Sequence, residues 1–293
     1  MSLPQCYNPA DAIKERKRGI FVKAWQKGAI SLGALGLAGI FLPRRLWFKK
    51  AHVAEEGQPR ALALSDRTKL AVTHLKRGHD RLIIIAHGFL KSMNDPVVVQ
   101  LTQMLAEQFD VLAFDFPGHG RSGGRSDASL SSAANHFSRV LDHAHTLGYR
   151  QIGAVGYGSG AAAIIIAAAQ SAPLDAIVSI ASPVSASTTR GHGPRPTWPW
   201  RWWAGLMGTR LAAKTHLDAW PIDYIARVSP IPLLIVGQGT TRQRSDALFA
   251  VAKPPKEYLA IPWPLQASSP PFAARIIAWL DKTIPNSDAN EAS

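Results

Sequence analysis

The chain has 293 residues, of which 46% are hydrophobic and 18% are charged. That much apolar material excludes a disordered chain, and the moderate glycine and proline content excludes a fibrous protein. The single cysteine, Cys6, excludes an intramolecular disulfide framework and a cysteine-based zinc site. The length predicts one large domain or two small ones.

The formal net charge of +13 is unevenly distributed along the chain. Residues 1–50 hold ten Lys and Arg against two acidic residues, whereas the other 243 residues hold 23 against 18. Basic residues that flank an apolar stretch typically face lipid headgroups. The charge therefore favours a membrane surface as the partner of this arm, and we expect no nucleic-acid partner.

The apolar stretch in this arm covers residues 28–42 and contains no charged side chain. A helix of that length is about 22 Å long, short of the ~30 Å hydrocarbon core. Lysine side chains that reach outward, with Trp25 and Trp47 at the two interfaces, would extend it to a thin span. We predict a membrane anchor, spanning or interfacial; the alternative is an apolar helix docked on the body. Basic residues flank both ends, so sidedness is not predicted.

The body of the chain alternates between strand-like and helix-like runs. A β-hairpin is predicted over residues 60–64 and 70–75, followed by buried strands at 82–86, 111–114, 152–155, 176–180, 233–236 and 258–261. Helices are predicted at about 96–108, 128–147, 160–171, 243–252 and 271–283. This alternation predicts a mostly parallel sheet with helices on both faces, whose site lies at the carboxyl ends of the strands.

Residues 182–230 interrupt the alternation with six prolines and a tryptophan-rich run at 197–203. We predict a cap above the sheet within a domain of residues 51–284, followed by a disordered tail at 285–293. The tryptophans either contact lipid or an apolar ligand, or form the cap's own small core.

Four landmarks carry a family resemblance. They are His87-Gly88-Phe89 after the third strand, the DFPGHGRSGG run at 115–124, the turn Gly156-Tyr157-Gly158-Ser159-Gly160, and the late strand within 231–237. Together they resemble the α/β-hydrolase superfamily, in particular its serine aminopeptidase and monoacylglycerol-lipase-like branch, over roughly residues 60–284. The resemblance implies an α/β-hydrolase fold and a serine-type hydrolase of esters, lipids or peptides.

The positions that would carry a catalytic triad are substituted. Such hydrolases place the nucleophile at the centre of G-x-S-x-G, but Gly158 stands there in this chain. The acid position after the late strand corresponds to Thr240, and the histidine position after the last strand corresponds to Gln266. No histidine follows His216. Without an imidazole to activate a hydroxyl, the sequence predicts a non-catalytic homologue, or pseudoenzyme.

The resemblance also implies an anion-binding niche that survives these substitutions. It lies at Gly88 and Phe89 and at Ser159, where backbone N–H groups meet a helix N-terminus. We expect the protein to bind an acyl, ester, carboxylate or peptide-like ligand at this niche without cleaving it, or to bind a partner at the membrane.

Three other interpretations of the sequence were considered: a rearranged hydrolase site, a dinucleotide site and a metal site. An active hydrolase would use Ser159, Ser182 or His87 in a rearranged site, although the resemblance assigns His87 a structural role in the His-Gly turn. Gly156 to Ala161 matches a dinucleotide fingerprint, but no acidic residue ends the following strand, so no cofactor is expected. The scattered histidines predict no metal site, and Asp115 and Asp127 are interpreted as turn-forming residues.

Overall fold

The computed structural model describes residues 58–63, 68–185, 202, 204–205, 208–214, 218–261 and 270–285, without the side chains of 58–60, 240 and 270–271. All of them lie in one compact unit that spans Ala51–Ser293. The predicted anchor at 28–42, most of the tryptophan run and Gln266 lie outside the described residues. Within those residues no helix combines the length and apolar character needed to span a bilayer.

Eight strands form a single sheet. They are β1 Gln58–Ala63, β2 Lys69–Leu75, β3 Arg81–Ala86, β4 Asp110–Phe114, β5 Gln151–Tyr157, β6 Ala176–Ile180, β7 Leu233–Gln238 and β8 Lys256–Ile261. The strand order is β1-β2-β4-β3-β5-β6-β7-β8. The pairs β1/β2 and β2/β4 are antiparallel, and every other neighbouring pair is parallel. The predicted hairpin and the mostly parallel sheet are confirmed.

The central strands form where continuous apolar runs can be buried on both faces. Every residue of β3, β4, β6 and β7 is buried. The parallel register aligns the carboxyl ends of neighbouring strands, so that Ala86 pairs with Gly156 and Tyr157 pairs with Ile180. The turns that leave these strands are therefore close together at one edge of the sheet.

Six helices accompany the sheet in the described part of the chain. They are α1 Pro96–Leu105, α2 Leu130–His145, α3 Ser159–Ala169, α4 Pro221–Tyr224, α5 Arg242–Val251 and α6 Pro270–Thr283. Core residues of α2, α3 and α5 cover one face of the sheet, and those of α1 and α6 cover the other. The predicted helices on both faces are confirmed, with ends that differ by a few residues.

Of the proline-rich excursion between β6 and α4, the structure describes only short stretches. Residues 208–214 run beside the loop that follows β4, where Arg210 N donates to Gly118 O and Ser126 N donates to Arg210 O at 2.8 Å. The Arg210 guanidinium also donates to Ser122 O. Trp202 is 57% exposed. These main-chain bonds hold the returning part of the excursion against the loop between β4 and α2.

Candidate functional site

The turn between β5 and α3 has the backbone geometry of a sharp strand-to-helix elbow. Gly158, at its centre, has φ 57° and ψ −122°. Its N–H donates to Ile180 O at 2.9 Å, and its carbonyl accepts from Ala162 N at 3.2 Å. A residue with a side chain adopts this conformation only with strain, whereas glycine adopts it readily. The chain thus keeps the elbow while no side chain stands at its centre.

The two outer glycines of the turn are required by close packing. A Cβ on Gly156 would lie 2.6 Å from Ala161 N, and one on Gly160 would lie 2.6 Å from His87 O. A Cβ on Gly158 would instead meet only Gly88 Cα, at 3.5 Å. The central position therefore has room for a side chain that the sequence does not provide.

A pocket of about 410 Å³, including the part open to solvent, lies beside this elbow. The polar side chains in its wall are His87, His119, His136, Ser126, Asp127, Ser129, Ser132 and Ser159, and the apolar ones are Phe89, Phe116, Pro117, Ala128, Leu130 and Ala133. The wall thus combines an apolar surface with several hydroxyl and imidazole groups.

The three residues of the predicted niche all line this pocket. Gly88 and Phe89 come from the turn after β3, and Ser159 is the first residue of α3. Neither Phe89 N nor Ser159 N donates to an acceptor among the described residues. Both N–H groups are thus unpaired among the described residues, and that of Ser159 lies at the N-terminus of α3, where the helix dipole favours a partial negative charge.

The other two predicted triad positions are only partly described. Thr240 lies in the 3₁₀ turn Gly239–Thr241 directly after β7, and its side chain is not described. Gln266 lies outside the described residues. The end of β7 does reach the elbow, because Gln238 Nε2 donates to the hydroxyl of Tyr157 at 3.2 Å.

His87 is held by the backbone at both ring nitrogens. Nδ1 donates to Gly88 O at 2.8 Å, and Nε2 accepts from Phe116 N at 3.0 Å. Burial lowers the pKa of His87 to about 4, so the ring is neutral. An imidazole with both nitrogens in use has no free lone pair for general-base catalysis. This geometry agrees with the structural role that the sequence assigns to it.

Asp115 fixes the loop that follows β4. The carboxylate is fully buried and accepts from Met93 N at 2.7 Å and from Arg121 N at 2.8 Å. Burial raises the pKa of Asp115, and the two backbone N–H groups oppose that shift. Asp127 accepts from Ser129 N at 3.0 Å in the same way. Both side chains therefore bond to backbone at turns, as the sequence analysis interprets them.

Ser182, one of the serines considered for a rearranged site, donates its hydroxyl to Pro183 O at 2.9 Å. It is buried and absent from the wall of the pocket. Of the two candidate serines, only Ser159 lies at the pocket. No group of three or more His, Cys, Asp or Glu is placed to hold a metal ion in the part of the chain that the structure describes.

His119 is a pocket residue that the sequence analysis did not single out. Its Nδ1 donates to Pro117 O at 3.0 Å, and burial, followed by the nearby His87, lowers its pKa to about 3. The sequence shows this histidine only as part of the glycine-rich run at 115–124, which we read as a signature of the fold. Its orientation depends on the loop conformation that Asp115 stabilises.

Asp218 connects the returning excursion to the rim of the pocket. Its carboxylate accepts from Leu130 N at 3.0 Å, from Ser131 N at 3.3 Å and from both Ser129 Oγ and Ser131 Oγ. Ser129 itself caps α2 by accepting from Ser132 N. Asp218, which is 87 positions from Ser131 in sequence, thus provides the hydrogen-bond acceptor for backbone N–H groups at the N-terminus of α2.

Replacing Asp218 by alanine is expected to lower the free energy of unfolding by about 1–2 kcal/mol, because N-terminal donors of α2 lose their acceptor. The measurement is urea-induced unfolding followed by circular dichroism. Asp142→Ala is the control, since it removes the same charge from an exposed position on the same helix. Equal effects of the two substitutions would contradict the capping role of Asp218.

Comparisons with known proteins agree on the fold. A family model described as the alpha/beta hydrolase family matches residues 83–288. An esterase of Pyrococcus furiosus is 19% identical with a TM-score of 0.59, covering 78% of this chain and 93% of its own. Est1E of Butyrivibrio proteoclasticus, solved with ferulic acid bound, is 19% identical with a TM-score of 0.59, covering 77% of this chain and 99% of its own.

A hypothetical protein of Pseudomonas aeruginosa is 20% identical with a TM-score of 0.60, covering 81% of this chain and 97% of its own. Among curated proteins, none matches the chain significantly. At these identities the solved structures establish a common fold and leave the chemistry of the pocket to be argued from its own residues.

Proposed function

The chain belongs to the alpha/beta hydrolase family, and we propose that it binds an acyl, ester, carboxylate or peptide-like ligand without cleaving it. The observation that carries the proposal is Gly158 at the centre of the elbow, with φ 57°. The family's nucleophile belongs at this centre, and glycine has no hydroxyl to attack a carbonyl.

The absence of a histidine at the family's general-base position, after the last strand, supports the same proposal. No histidine follows His216 in the sequence, so the last-strand loop contains no imidazole. His87 lies at the pocket, but its Nε2 already accepts from Phe116 N. His119 has a pKa lowered to about 3, far below the value near neutrality that suits a general base.

The class of ligand that we propose is based on the chemical groups in the wall of the pocket. The N–H groups of Phe89 and Ser159 favour an oxygen that carries partial negative charge, such as a carbonyl or carboxylate oxygen. Phe89, Leu130 and Ala133 supply an apolar surface for the attached chain. An acyl group offers both features at once.

The experiment is a binding titration of the purified full-length protein with octanoate, methyl octanoate and N-methyloctanamide. We expect saturable binding of at least one of these probes, and no release of para-nitrophenol from para-nitrophenyl octanoate above the rate in buffer. A variant that fills the pocket, Ala133→Phe, should abolish binding, whereas Asn135→Phe at an exposed position of the same helix should not. Absence of saturable binding for all three probes would refute the proposal.

The alternative function is an active hydrolase with a rearranged site. Two observations support this alternative: several solved structures of the same fold are esterases, and the pocket wall contains hydroxyl groups, including that of Ser159. In that case para-nitrophenyl octanoate would be turned over, and Ser159→Ala would abolish the turnover.

Two finer assignments also remain proposals. We place the chain in the serine aminopeptidase and monoacylglycerol-lipase-like branch because of the PGHGRSGG sequence at 117–124. We also propose that the basic, apolar arm at 1–50 attaches the protein to a membrane surface. Removal of residues 1–50 should then release the protein from anionic lipid vesicles in a flotation assay.

A further inference from the structure

His119 lines the pocket, and one of its ring nitrogens has no hydrogen-bond partner among the described residues. The side chain is 4% exposed, and its Nε2 is a buried atom with no hydrogen-bond partner among the described residues. Nδ1 lies 3.0 Å from Pro117 O, which can only accept, so Nδ1 holds the proton and Nε2 holds a lone pair. Buried polar atoms are nearly always paired, so an unpaired acceptor on a residue that lines the pocket points to a donor supplied by a ligand.

The groups around His119 keep its ring neutral. Its ring centroid lies 5.2 Å from that of His87 and 5.8 Å from that of Phe89. Burial has the largest effect and lowers its pKa, His87 and Arg210 lower the pKa further, and Asp115 opposes them. The Nε2 lone pair is therefore present throughout the neutral pH range, and the ring offers no positive charge to a carboxylate.

We propose that the ligand of this pocket is an uncharged acyl compound with a hydroxyl or amide N–H group that donates to His119 Nε2. Its carbonyl oxygen accepts from the backbone N–H groups of Phe89 and Ser159 on the same pocket wall. This inference rests on the proposed function and narrows its ligand from acyl compounds in general to those that carry a hydrogen-bond donor. A free carboxylate satisfies the backbone donors but presents no proton to His119.

The test compares two probes that differ at one atom, N-methyloctanamide and methyl octanoate. The amide carries an N–H where the ester carries an oxygen, so the ratio of their dissociation constants reports a donor contact. We expect the wild type to prefer the amide by about 10-fold. His119→Phe should remove most of that preference, and His119→Gln, which restores a side-chain acceptor, should recover part of it.

The outcomes separate this inference from the proposed function. A preference for the amide that is identical in wild type and His119→Phe would overturn the role of His119 and leave acyl binding intact. Saturable binding of both probes without preference in the wild type would do the same. Failure of both probes and of octanoate to bind would overturn the proposed function and this inference together.

A second measurement covers the case in which His119→Phe does not fold. In the wild-type protein labelled with ¹⁵N-histidine, the Nε2 resonance of His119 should shift when N-methyloctanamide binds, because the lone pair accepts a hydrogen bond. Methyl octanoate should not cause that shift. Equal Nε2 shifts with the two probes, or none with the bound amide, would overturn the inference.

Discussion

Replacing Gly160 by alanine is expected to lower the free energy of unfolding by about 3 kcal/mol or more, a large fraction of the stability of an ordinary domain. The added Cβ would lie 2.6 Å from His87 O and still closer to Ala86 O. Both are main-chain atoms, one in the last residue of the central strand β3 and one in the residue after it, so they cannot rotate away as a flexible side chain would. The elbow and β3 would have to separate.

The matched control is Gly158→Ala, two residues earlier in the same turn. Its Cβ would meet only Gly88 Cα at 3.5 Å, so the cost comes from the positive φ of 57° and should be about 1–2 kcal/mol. Urea unfolding of both variants measures the difference. If Gly158→Ala is the more damaging substitution, the packing of the elbow is not as described.

The second large effect is expected on acidification. The pKa values of His87 and His119 are lowered from 6.5 to about 4 and about 3, so between pH 6.5 and 4 the unfolded chain binds protons that the folded chain does not. Stability therefore falls as pH falls through this window. For the two histidines together the loss between pH 7 and pH 5 is about 4 kcal/mol. The raised pKa of Asp115 acts in the opposite direction at the acidic end.

Urea unfolding at a series of pH values checks this expectation. Each histidine that is buried in its neutral form adds about 1.4 kcal/mol per pH unit to the slope of stability against pH. The slope between pH 5 and 6 should thus decrease by about that amount in His119→Phe. An unchanged slope would mean that His119 titrates alike in the folded and unfolded chain.

The sheet could be predicted from the sequence because its strands are short apolar runs bounded by turn residues. The LIIIA run at 82–86 is recognisable on its own, and β3 adds only Arg81 to it. The strand order could not be predicted in the same way, since β2 pairs antiparallel with β4 through contacts between residues far apart in sequence. The elbow was predictable because the spacing of Gly156, Gly158 and Gly160 reflects a local backbone requirement.

The rest of the site depends on long-range contacts that leave no local signal. Asp218 lies in the proline-rich excursion, and only the folded chain brings it to the N-terminus of α2. The unpaired Nε2 of His119 follows from the way the loop after β4 turns, with Nδ1 bonded to Pro117 O. In the sequence this histidine is visible only as part of the fold signature, and nothing local indicates that it lines the pocket.

Gly158 leaves the centre of the elbow without a nucleophilic side chain, and we therefore expect no activated serine in this protein. Labelling of the full-length protein with a fluorophosphonate probe tests it most directly, because the probe reacts covalently with activated serines. We expect no stable labelling under conditions that label a working serine hydrolase completely. Stoichiometric labelling that a single substitution such as Ser159→Ala abolishes would contradict it, and would show that the pocket contains an active serine despite Gly158.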